Sequence, residues 1–173
     1  KQKTAYEIYK CDSSSDVCSS DLGRPSDFAM TATLDAALAR NVPIFGVCLG
    51  LQGLVEHLGG SLGQLGEPMH GKASVVTPEP GRFLAGLPEK FTVGRYHSLF
   101  AKPETLPASL LVKAKTEDGV IMAIEHKELP IAAVQFHPES ILTLEDGVGF
   151  KLISEIVSRL AKREETKRTG TRG

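Results

Sequence analysis

Two short segments of this chain set a reactive side chain where chemistry is possible. The first, Gly46–Gln52 (GVCLGLQ), carries Cys48 between an apolar run of strand length, Pro43–Val47, and a stretch with helical spacing. A helix N-terminus turns backbone N–H groups and the positive end of its dipole toward whatever precedes it, which favours negative charge on a sulfur at that place. Gly46 and Gly50 flank the cysteine and leave room for a sharp strand-to-helix turn. A lone buried cysteine is most often inert, but the Gly-x-Cys-x-Gly setting argues for a nucleophile. The second segment, Gln135–Ser140 (QFHPES), puts His137 at the carboxyl end of another apolar run, Ile131–Phe136. A thiol nucleophile needs a group that takes its proton and hands it to the leaving group, and imidazole suits neutral pH. Glu139 lies two residues on, with Pro138 fixing the backbone between them, and is placed to orient the ring. Cys48 and His137 are far apart in sequence, but the carboxyl ends of strands in one sheet are where ligand sites of α/β folds assemble.

The elements that must hold these groups can be read from spacing. Met30–Arg40 is rich in Ala and Leu and predicts a helix closed by Asn41 and Pro43. Leu51, Leu54, Val55 and Leu58 recur at i, i+3, i+4 and i+7, and Gly59-Gly60 stops that helix. Strand, turn and helix with no linker is an α/β signature. Further strand-like runs lie at Ala73–Thr77, Phe91–Tyr96 and Leu110–Thr116, and Asp118-Gly119 predicts a hairpin into Ile121–Glu125. Residues 148–161 predict a last helix with Leu152, Ile153, Ile156, Val157 and Leu160 on one face, and 162–173 a charged flexible tail.

Composition narrows the function classes. The chain has 173 residues, 41% apolar and 24% charged, which is one ordinary globular domain. A net charge of −1 argues against a basic nucleic-acid surface or a polybasic membrane surface. No apolar run is long enough to span a bilayer, and KQKTAYEIYK has no apolar signal core. Three cysteines at irregular spacing argue against a disulfide scaffold, so a reducing, cytoplasmic setting is expected. The spacing of Cys11 and Cys18 fits no common zinc pattern, and no metal site is expected.

GVCLGLQ at 46–52, RYHSL at 95–99 and VQFHPES at 134–140 together resemble the class I glutamine amidotransferases, over a stretch from about Gly23 to about Leu160. GRPSDF at 23–28, PMHGK at 68–72 and RYHSL are most similar to the glutaminase part of anthranilate synthase, in the bacterial form where this domain is fused behind the chorismate-using synthase. The resemblance implies a flavodoxin-like α/β fold, its central sheet mostly parallel and flanked by helices. It implies that Cys48 attacks the carboxamide of glutamine and releases ammonia from a γ-glutamyl thioester, with His137 as general base and acid and Glu139 holding its ring. The backbone N–H of Leu49 would donate to the oxyanion, Gln52 would contact the substrate, and Ser98 and Leu99 would grip its amino-acid head group. The ammonia would pass to a chorismate-binding synthase, as a subunit or a fused domain, on the route to tryptophan. The glutaminase reaction would need no cofactor; Mg²⁺ would belong to the synthase.

The sequence also departs from that family. CDSSSDVCSSDL is rich in Ser and Asp, has no period, and within Lys1–Leu22 resembles a translated sequencing adapter. Residues 1–22 are therefore read as non-native or disordered, and 23–161 as a partial amidotransferase domain whose N-terminal strands are missing. Family members carry a Ser-Pro-Gly-Pro-Gly loop before the segment like GRPSDF. Here SSDL precedes Gly23, which would be the last glycine of that loop and part of the substrate site. Losing one oxyanion donor costs a rate factor on the order of a hundred to a thousand, so reduced activity is expected. The competing readings are the glutaminase component of aminodeoxychorismate synthase in the folate pathway and a truncated, non-catalytic amidotransferase module. The segment Gly23–Phe28 favours anthranilate.

Overall fold

The computed structural model describes residues 25–28, 30–83, 86–144 and 147–169, with side chains left aside at 26, 27 and 161–169. Residues 1–22 and Gly23 lie outside the described residues. In chain order come α1 (Met30–Ala39), β1 (Ile44–Val47), α2 (Leu49–His57), β2 (Leu62–Pro78), β3 (Phe91–Ala101), β4 (Leu110–Thr116), β5 (Ile121–His126), β6 (Ile131–Val134) and α3 (Val148–Thr169). The six strands form one sheet in the order β1-β6-β5-β4-β2-β3.

Local chemistry explains most boundaries. α1 ends as Asn41 enters the left-handed region at φ 54°, which Asn tolerates, and Pro43 follows. Gly119, at φ 81°, turns the chain between β4 and β5, as Asp-Gly predicts. β6 is buried along its whole length, and its side chains alternate between the two faces of the sheet. Ile131 and Ala133 join Leu51, Leu54 and Val55 of α2, while Ala132 and Val134 join Leu152, Ile156 and Leu160 of α3. Helices thus cover both faces, and the α/β class read from the sequence holds.

Three expectations need correction. The sheet is mixed rather than mostly parallel: β1 and β6 are parallel, and the other described pairs are antiparallel. The connections at 117–120 and 127–130 are too short for the crossover a parallel pair requires. β2 extends well upstream of Ala73–Thr77, through LGQLGEPMHGK, which is largely exposed and so carries no alternating pattern. It pairs with β3 through register shifts at Gln64/Met69 and His70/Lys72. α3 continues to Thr169 through the segment expected to be a tail, because its Glu, Lys and Arg residues are good helix formers.

The parallel pair sets up the site. Val47 is in register with Val134, and the Cys48 N–H donates to the Val134 carbonyl at 2.8 Å. The chain after β1 and the chain after β6 therefore leave the sheet side by side.

Candidate active site

β1 ends at Val47 and α2 begins at Leu49, so the single residue Cys48 makes the whole turn. It does so at φ 51°, ψ −100°, a conformation that costs a non-glycine residue on the order of 1–3 kcal/mol. Strain held at one reactive residue fits a nucleophile elbow. The two flanking glycines differ in importance. A Cβ on Gly46 would meet the backbone carbon of Gly50 at 2.8 Å and the Cβ of Ala133 at 3.2 Å, whereas one on Gly50 would meet nothing within 4 Å. Gly46→Ala is expected to push α2 off the sheet and destabilise the fold by about 1–3 kcal/mol, while Gly50→Ala is neutral or gains up to about 1 kcal/mol. Urea unfolding of the two variants checks this, and equal stabilities would contradict it.

His137 sits in the loop after β6 and is tied to β3. Its N–H donates to the Gly94 carbonyl at 3.2 Å. The hydroxyl of fully buried Thr143 donates to the His137 carbonyl at 2.7 Å and accepts the Gly94 N–H at 2.9 Å. The Tyr96 ring stands edge-on to the imidazole at 5.3 Å, and its hydroxyl lies 3.0 Å from that of Ser140. Nδ1 of His137 is 2.7 Å from Oε1 of Glu139, and the ring also feels the Cys48 side chain electrostatically. Burial by itself would push the imidazole toward the neutral form. The interactions with Cys48 and Glu139 outweigh it and raise the pKa to about 10. Glu139 is exposed and only partly desolvated, which acts in the opposite sense, and its hydrogen bond to His137 prevails and holds the carboxyl below its ordinary value. At neutral pH the ring is therefore protonated, and its Nδ1–H donates to Glu139.

The other expected residues gather at the same sheet end. Leu49 is the first residue of α2, so its amide lies at the helix N-terminus next to Cys48. Gln52 is buried, and its Nε2 donates to the Leu99 carbonyl at 3.1 Å and to Oε1 of Gln135 at 3.3 Å. Ser98 lies beside Leu99 on β3. Gly23 lies outside the described residues. His97 is buried on β3. Burial first, and then the charges of Arg95 and His137, lower its pKa to about 4, so it is neutral. Its Nδ1 lies 2.9 Å from the Leu99 carbonyl.

Sequence reasoning missed Thr143, Tyr96 and Gln135 as parts of this site. Nothing in the spacing marks Thr143 or Tyr96. Gln135 carried one signal, a polar residue inside the apolar run IAAVQF, and it is fully buried. Among the described residues no three His, Cys, Asp or Glu side chains are grouped to hold a metal ion, and no helix is long and apolar enough to cross a membrane. A cysteine sulfur facing an imidazole backed by a carboxylate is equipped for acyl transfer through a covalent thioester.

Residues 5–153 match the family model described as glutamine amidotransferase class-I. The chain is 59% identical over 139 residues to an anthranilate synthase of Azospirillum brasilense, covering 80% of this chain and 19% of that protein. It is 44% identical over 131 residues to an anthranilate synthase component 2 of the same organism, covering 76% of this chain and 65% of that one. The fold matches the crystal structure of a candidate GMP synthase component from Thermoplasma acidophilum, with a TM-score of 0.72 at 25% identity, over 84% of this chain and 73% of the other. The chain thus spans about a fifth of the first curated relative and just under two thirds of the second.

Proposed function

We propose that this chain, which belongs to the class I glutamine amidotransferase family, is the glutaminase part of an anthranilate synthase. His137 takes the Cys48 thiol proton, Sγ adds to the carboxamide carbon of glutamine, and the carbonyl oxygen takes up negative charge beside the Leu49 N–H. The tetrahedral intermediate collapses as His137 gives its proton to the departing nitrogen, which leaves as ammonia. A γ-glutamyl thioester remains on Cys48. Water then attacks the thioester carbon, neutral His137 accepts the water's proton, and glutamate leaves as the sulfur is released. Glu139 keeps the ring aimed throughout. Gln52, Ser98 and Leu99 bind the substrate head group, and the thiol chemistry itself calls for no metal or organic cofactor.

The observation that supports this reading is the strained Cys48 elbow in electrostatic reach of the hydrogen-bonded His137–Glu139 pair. The ammonia goes to a chorismate-binding synthase, and any Mg²⁺ would be held there rather than by this chain. Similarity is greater to the Azospirillum protein about five times the matched length than to the separate component 2 of that organism, which favours a fused synthase. The test combines the 173-residue chain with a chorismate-binding synthase lacking its own glutaminase, then identifies the products made with glutamine and with ammonium. Anthranilate formed from glutamine is the expected result. Aminodeoxychorismate alone would favour the folate enzyme. Synthesis that ammonium supports and glutamine does not would leave only a non-catalytic module.

A further inference from the structure

The buried polar groups behind Cys48 form one continuous chain whose proton order is fixed at two points. Arg95, 1% exposed, donates from Nε to Nε2 of His97 at 3.2 Å. A guanidinium only donates, so Nε2 of His97 must accept and Nδ1 carries the ring proton. That proton goes to the Leu99 carbonyl at 2.9 Å. A carbonyl only accepts, so Gln52 must also present an N–H to it, as it does at 3.1 Å. The same amide nitrogen reaches Oε1 of Gln135 at 3.3 Å, which fixes the remaining amide. With its oxygen engaged by Gln52, Gln135 turns Nε2 toward Cys48, 3.6 Å from Sγ. The backbone supports this placement, because Val47 pairs with Val134 and the next residues on the two chains are Cys48 and Gln135.

We infer that Gln135 is a further catalytic residue, which donates a hydrogen bond to the Cys48 sulfur and stabilises its negative charge before attack and again when the thioester is cleaved. This rests on Cys48 being the nucleophile. A thiol is a poor acceptor and a thiolate a good one, so the bond strengthens as charge develops on sulfur. Its direction is held from a distance by Arg95 and His97, acting through the Leu99 carbonyl and Gln52. The amide is fully buried, so no water competes for the sulfur from that side.

The experiment reads the sulfur directly, in the full 173-residue chain. Cys48 is alkylated with iodoacetamide from about pH 6 to about pH 9, the span over which imidazoles and thiols titrate, and its labelled peptide is quantified by mass spectrometry. The variant is Gln135→Met, close in size and unable to donate. Labelling of Cys48 is expected to be about tenfold slower at neutral pH in the variant, a factor set by the worth of a hydrogen bond to a charged group. The gap should close at the alkaline end, where thiols ionise unaided. A loss of packing would slow labelling at every pH, or speed it by exposing the thiol. Equal rates at neutral pH in a folded Gln135→Met protein would overturn the inference. If that variant does not fold, the wild-type chain decides. The Gln135 side-chain amide resonances should move when Cys48 is carbamidomethylated, and an unmoved signal would overturn it. Because no readout uses glutamine turnover, a Gln135 effect in a protein that releases no ammonia would count against the glutaminase reading alone.

Discussion

Cys48→Ala is expected to remove glutamine-dependent ammonia release almost entirely, by at least about a thousandfold, the scale seen when a covalent nucleophile is lost. Synthesis from free ammonium by a chorismate-binding partner should survive, because that reaction bypasses the thioester. A glutamine-like chloroketone should label the wild-type sulfur and produce the same split between the two nitrogen sources. The structure adds a stability signature. Cys48 is held at φ 51°, ψ −100°, where alanine is strained and glycine is not. Cys48→Gly should therefore be inactive yet more stable to unfolding than Cys48→Ala, by up to the roughly 1–3 kcal/mol that such strain costs, less about 0.5–1 kcal/mol for the extra freedom of glycine in the unfolded chain. Equal loss of glutamine- and ammonium-dependent synthesis in the alanine variant would point to a damaged fold and sink the assignment.

How much of this was legible in the sequence depended on how each piece is encoded. Elements fixed by local chemistry were readable: Asn41 with Pro43 closing α1, Asp118-Gly119 turning β4 into β5, and the face of α3 that buries Leu152, Ile156 and Leu160, although Val157, expected on that face, is exposed. So were the two reactive segments, because a thiol at a strand-to-helix turn and an imidazole beside a carboxylate at a second strand end seldom coincide without a shared chemical task. What depended on pairing was not readable. The first half of β2 is exposed and polar, and it becomes a strand only because β3 offers it a hydrogen-bonding edge. The parallel majority expected for the sheet came from the resemblance, while the short hairpin loops at 117–120 and 127–130 argued against it. Gln52 illustrates the same limit inside the site. Its helical spacing from Cys48 was plain, but its bonds to Leu99 and Gln135 require β3 and β6 to arrive on either side of α2. Thr143 ties His137 to Gly94 through contacts that exist only in three dimensions.

His137→Ala is expected to cost nearly as much as losing the thiol, and adding Glu139→Ala to it should cost little more. Glu139 is exposed, and its carboxylate meets Nδ1 of His137 at 2.7 Å, so its contribution runs through the imidazole. Once the ring is gone there is nothing for it to orient, and groups that serve one proton transfer are strongly non-additive. Glutamate release by the two single variants and the double variant measures this directly. A double variant worse by the product of the single effects would show that Glu139 acts elsewhere. The same pairing should appear in stability. The folded pKa of His137 is raised from 6.5 to about 10, so the folded state holds a proton that the unfolded chain gives up near 6.5. The stabilisation this confers is complete below pH 6.5 and is lost as the pH rises toward 10. The unfolding temperature of the wild type should therefore exceed that of His137→Ala most at neutral to mildly acidic pH, with the difference shrinking across that window. A difference that stayed constant or grew with pH would mean that Cys48 and Glu139 do not hold the proton on His137, and the imidazolium would lose its place as the acid that releases ammonia.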